Sequence, residues 1–163
     1  MQLLGLPTER LRVSVDDASA ADKLGEELWR SVRRRAASGG LIALCIGTDR
    51  STGDSLGPLT GSFLQQTACP ALEVIGTLDS PVHATNLAET VGALEIRRGG
   101  RCVIAVDACL GRLESVGKIA LAQGAVLPGA GVSKTLPAVG DYHLVGIVNI
   151  SGFEGGTGAA REH

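Results

Sequence analysis

Two aspartates stand out for chemistry. Asp107 closes the apolar run "CVIAVD" (102–107), and Asp54 lies in "CIGTDRSTGDSLGPLTG" (45–61), a stretch that also holds Asp49 and the glycines Gly47, Gly53, Gly57 and Gly61. A carboxylate at the end of a buried strand carries a desolvation cost that a purely structural residue has little reason to bear. Two carboxylates sharing one crevice resist ionising together, so one can act as a general base while the other holds a proton to donate. The competing reading is a phosphate loop, which needs G-x-x-x-x-G-K-[ST], or a dinucleotide loop, which needs G-x-G-x-x-G. Neither spacing occurs: Gly47 and Gly53 are one residue too far apart for the first pattern, and Asp54 follows where a cation would be required. A structural alternative for Asp54 is capping of the helix that "SLGPL" begins. On pattern alone, a paired-carboxylate site and two independent structural aspartates both stay open.

Both aspartates fall at or just beyond the carboxyl ends of strand-like runs, where ligands sit in open α/β sheets. The runs are "LIALCIG" (41–47), "LEVIGT" (72–77) and "CVIAVDA" (102–108), with two more in "GKIALA" (117–122) and "YHLVGIVNI" (142–150). Helical spacing separates the first three. Leu56, Leu59, Phe63 and Leu64 fit one helix face, and Leu87, Val91 and Leu94 make the apolar stripe of another within 86–98. Ahead of them, Ala20, Leu24, Leu28 and Val32 mark a helix over 19–37 that "SGG" stops. Its arginines Arg30, Arg33, Arg34 and Arg35 suit a last turn facing the helix dipole. The alternation predicts an α/β fold, a three-layer α/β/α sandwich around a mostly parallel sheet of five or six strands. Residues 1–18 and 154–163 read as irregular or frayed, although "LRVSVD" alternates as a short edge strand would. The glycine- and proline-rich "PGAGVSKTLPAVGD" (128–141) reads as a loop.

The 163 residues, 44% of them hydrophobic, predict a single α/β domain. A formal net charge of −2 and few aromatics argue against nucleic acid, which calls for a basic, stacking surface. No apolar run approaches the roughly 18 residues of a membrane span and no signal sequence is evident, so a cytoplasmic protein without membrane contact is expected. Cys45, Cys69, Cys102 and Cys109 form no C-x-x-C pair and are expected as reduced, structural thiols.

The ordered blocks "IGTDRSTGDSLGP", "GTLDSPVHATNL", "IAVDACLG", "LPGAGVSKTLPAVGD" and "GIVNISGF" resemble the YyaC family of bacterial sporulation proteins, often labelled spore proteases. The framework is more distantly similar to the germination protease of spores and to the hydrogenase maturation proteases. That resemblance implies a maturation-protease-like α/β/α fold, catalytic roles for Asp54 and Asp107, and a protein or peptide substrate in a sporulating cell or spore. It also makes His83, close to Asp79 in one shared block, a substrate-binding candidate with Asp49, Asp79 and Lys134. The maturation proteases engage nickel with a later-loop histidine, which "PGAGVSKTLPAVG" lacks; Lys134 is its only charged side chain. No metal or other cofactor is therefore expected. Besides a peptidase, the residues allow a non-catalytic protein that binds a peptide or partner in the same crevice, or a metal-dependent maturation protease.

Overall fold

The structure, a computed structural model, describes residues 8–67, 69–128 and 136–151. Strand β1 (Thr8–Ser14) leads into helix α1 (Ala20–Gly39). Strand β2 (Leu41–Cys45) follows, then a 3₁₀ turn (Thr52–Asp54), helix α2 (Leu56–Gln65) and strand β3 (Leu72–Ile75). Helix α3 (Leu87–Arg97) precedes β4 (Cys102–Gly111), β5 (Lys118–Gln123) and β6 (Tyr142–Ile150). All six strands join one sheet in the order β1-β5-β6-β4-β2-β3.

The sheet is mixed, which corrects the expectation of a mostly parallel one. β2/β3, β2/β4 and β4/β6 pair in parallel, while β1/β5 and β5/β6 are antiparallel. The reason lies in the connections: helices α2 and α3 carry the chain back between parallel strands, whereas only a short 3₁₀ turn (Leu113–Ser115) intervenes between β4 and β5. Residues 8–14, within the segment read as irregular, form edge strand β1 because their alternation matches β5.

Side-chain alternation along β2 and β4 sorts the core. Val103 and Ala105 pack with Ile42 and Leu44 against Leu87, Val91 and Leu94 of α3. On the other side, Cys102 and Ile104 meet Val32 and Leu28 of α1, and Ala43, Cys45 and Val106 meet Leu64 of α2.

The stripe expected of α3 is fully buried. That of α2 is not: Leu59 and Phe63 are exposed, and the buried residues are Gly57, Pro58 and Gly61. α1 runs to Gly39, so no basic residue occupies its last turn. Arg35 instead binds Asp141 at 3.3 Å and Arg30 binds Glu27 at 3.0 Å, so ion pairs replace the dipole role expected of this cluster.

Candidate functional site

The glycines of the Cys45–Gly61 stretch shape backbone approach rather than a phosphate cradle. Ile46 continues β2 by one bridge, to Val82, and the chain then turns at Gly47 with φ +145, where a side chain would meet the Asp54 carbonyl. The loop closes on itself as Thr48 N–H donates to that carbonyl at 2.9 Å and Asp54 N–H donates to the Ser51 carbonyl at 3.0 Å. α2 then lies directly on the strand ends, since a Cβ at Gly57 would fall on the Ile46 carbonyl oxygen and one at Gly61 on that of Gly76. Asp54 is not the helix cap: Ser55 holds that position, without a side-chain hydrogen bond, and Asp54 ends the 3₁₀ turn before it. Its half-buried carboxyl is thereby free to face β4.

Asp107 is the sixth residue of β4 and only 6% exposed. Strand alternation puts it on the side of Val103 and Ala105, and the Ala108 N–H donates to its Oδ1 at 2.9 Å. Burial, with the negative charge of Asp54 second, raises the Asp107 carboxyl to about 7, against the pull of the Ala108 amide. Asp54 is raised as well, by burial, and drawn back by the Thr48 amide. Asp107 therefore lies within reach of the charge of Asp54, although burial is the larger cause of its shift.

Asp54 stands where two cavities meet. One, of about 330 Å³, is bounded by Thr48, Arg50, His83, Ala84 and Thr85. The other, of about 300 Å³, runs past Ser51 and Gly53 to Ala108, Cys109 and Leu110. Both lie toward the carboxyl ends of β2 and β4 and share Asp54 in their linings. A larger cavity of about 460 Å³ opens at the opposite strand ends, beside Gly39, Gly40 and Arg101. Its charges are already matched, Arg101 with Glu73 at 2.6 Å, so it offers no free chemistry.

His83 faces Asp54 across the first cavity. Its Nδ1 lies 2.7 Å from the Thr85 hydroxyl and accepts from the Thr85 N–H at 3.3 Å, which assigns the proton of the neutral ring to Nε2. The loop is pinned as His83 N–H donates to Asn86 Oδ1 at 2.8 Å. Asp49 and Asp79 are both exposed, and neither borders these two cavities. Lys134 lies outside the described residues. His143 is buried in β6 with its Nδ1 2.8 Å from the Gly124 carbonyl. Among the described residues, no three His, Cys, Asp or Glu side chains are grouped so as to hold a metal ion.

Sequence reasoning missed Arg50 and Thr85, which border the first cavity, and Cys109, whose thiol is raised by burial and then by the charge of Asp107. Proximity to Asp49 and His83 in the quoted blocks was the available signal for the first two. Cys109 had one as well, standing two residues beyond Asp107 on the same strand face.

Residues 12–155 match the family model described as "Protein of unknown function (DUF1256)". Over 141 residues the chain is 50% identical to the "Uncharacterized protein YyaC" of Bacillus subtilis (strain 168), an alignment that covers 86% of this chain and 68% of the relative. No helix among the described residues is long and apolar enough to cross a membrane.

Proposed function

The chain belongs to the DUF1256 family, and from that premise we propose that it is a peptidase of aspartic type acting in sporulation, with Asp54 and Asp107 as its catalytic pair. The observation that carries this reading is the buried Asp107, raised to about 7 by burial and then by the charge of Asp54, and next in β4 to Ala108, which lines a cavity that Asp54 also borders. Resemblance of the surrounding sequence blocks to the germination protease and the maturation proteases supports it.

The division of labour follows from the two environments. Asp54, bordering both cavities, is the general base that takes a proton from water as the water oxygen bonds to the scissile carbonyl carbon. Asp107, protonated at and below neutral pH, donates to the carbonyl oxygen. Collapse of the tetrahedral adduct breaks the C–N bond as the proton held by Asp54 passes to the leaving amine, while one adduct hydroxyl returns its proton to Asp107 and re-forms the carbonyl. The products are a carboxylic acid and an amine, and the water is consumed. His83 borders the same cavity as Asp54, and with its Nδ1 taken by Thr85 its Nε2–H suits a hydrogen bond to a substrate carbonyl.

The pair works with one shared proton, so turnover should be greatest at mildly acidic to neutral pH and fall as Asp107 ionises above about 7. The test is incubation of candidate spore proteins with the wild type and with Asp54→Asn and Asp107→Asn, read by mass spectrometry. Cleavage by the wild type alone is the expected outcome. Full turnover by both variants would defeat the assignment, and no cleavage of any candidate by the wild type would leave a binding protein as the better reading.

A further inference from the structure

The strand that carries Asp107 outruns its neighbour. β2 pairs with β4 only as far as Cys45 opposite Val106, whereas β6 accompanies β4 to Gly111. Hydrogen bonds show which way each backbone group points. The Val106 carbonyl accepts from Ile46 N–H at 2.8 Å on the β2 side, while the Val103 and Gly111 carbonyls accept from Asp141 and Ser151 N–H, at 2.8 and 2.7 Å, on the β6 side. Even-numbered residues of β4 therefore turn their N–H and C=O toward β2, and odd-numbered ones toward β6. Past Val106 there is no β2 left to receive them. The Ala108 N–H is taken by Asp107 Oδ1, whereas by the same alternation the Ala108 carbonyl and both backbone groups of Leu110 are directed to the side where, among the described residues, β2 no longer runs.

The second cavity of the site borders this overhang: Ala108, Cys109 and Leu110 line it together with Val148 and Asn149 of β6, and Ser51, Gly53 and Asp54 close it from above. Leu110 is 49% exposed. Sheet edges are ordinarily blunted by charged side chains, proline or a covering segment, because unpaired edges recruit further strands. Ala108–Gly111 contains neither proline nor charge, and among the described residues no strand pairs with this edge beyond Val106.

We propose that the overhanging edge of β4 at Ala108–Leu110 binds an extended polypeptide segment by strand addition, laying its backbone across Asp54 and Asp107. The proposal rests on the peptidase reading for its choice of a polypeptide ligand. Its consequence is a substrate class: segments without stable secondary structure, held through main-chain hydrogen bonds and selected weakly by side chain. A helix cannot serve, because its own N–H and C=O groups are already paired.

Binding is measured apart from turnover, in the Asp54→Asn/Asp107→Asn protein, by fluorescence anisotropy with a labelled pool of random-sequence decapeptides. Leu110→Pro removes the edge N–H while sparing the β6 ladder, since that N–H faces away from β6. The expected result is a loss of affinity of at least about tenfold with Leu110→Pro and less than about twofold with Leu110→Ala. As a second measurement that needs no Leu110 variant, amide exchange at Leu110 should slow at least about tenfold on peptide addition. Unchanged affinity in a folded Leu110→Pro protein, unchanged Leu110 exchange, or no peptide binding at all overturns the proposal. So does a concentration-dependent dimer that Leu110→Pro dissolves, which would assign the edge to a second copy of this chain. Peptide binding with these signatures but no cleavage by the wild type upholds strand addition and defeats the peptidase reading.

Discussion

Replacing Asp107 by asparagine should stabilise the protein, and by an amount that grows with pH. The folded state holds this carboxyl at about 7 against an ordinary 3.8. Between those values the native protein keeps a proton that the unfolded chain has lost, so each rise in pH favours unfolding. Below about 3.8 both states are protonated and nothing is lost; above about 7 the whole cost is present. The difference is about three pH units, and at ~1.36 kcal/mol per unit it amounts to about 4 kcal/mol. Asparagine escapes the cost because it cannot ionise, while its own Oδ1 still accepts from the Ala108 N–H. Urea unfolding of wild type and Asp107→Asn at pH 4, 6 and 8 measures it. The two should lie within about 1 kcal/mol at pH 4 and separate to about 4 kcal/mol in the variant's favour at pH 8. Groups that titrate alike in both proteins cancel in the comparison. A separation that stays flat across this range, or a wild type that gains on the variant as pH rises, would refute the account of Asp107 as a buried, proton-holding acid.

Carboxyl-carbon NMR of Asp54→Asn should show the Asp107 midpoint falling from about 7 yet remaining above 3.8, because burial, the larger cause, persists when the neighbouring charge is removed; a midpoint that does not move would mean that the two carboxylates do not interact. Gly57→Ala should cost about 2 kcal/mol or more in thermal or urea unfolding, since its Cβ would fall on the Ile46 backbone, whereas Gly25→Ala, in α1 with nothing within 4 Å, should gain about 0.5–1 kcal/mol. Equal effects at the two positions would count against the close docking of α2 on the strand ends.

The parts of the molecule legible in the sequence are those governed by local periodicity. "YHLVGIVNI" is strand β6 residue for residue, and Leu87, Val91 and Leu94 are the buried stripe of α3. α2 was misread because its inner face is made of Gly57, Pro58 and Gly61, whose small size serves close approach to backbone and leaves no trace in an apolar count. Strand direction was equally hidden: the antiparallel entry of β5 depends on which edge the chain crosses to, and no residue pattern in "GKIALA" encodes it. Asp107 could be singled out because a charge ending an apolar run breaks a local rule, and such breaks are expected where function opposes stability. Asp54 could not be assigned alone, since a carboxylate before a helix satisfies a capping rule; its candidacy is strengthened only when Ser55 is seen to hold the cap and Asp54 to border two cavities within charge reach of Asp107. The open edge of β4 is less visible still. It arises from a difference in length between β2 and β4, strands whose first residues, Leu41 and Cys102, lie 61 positions apart, and only their register against each other reveals that Asp107 is also the first residue of β4 with no partner in β2.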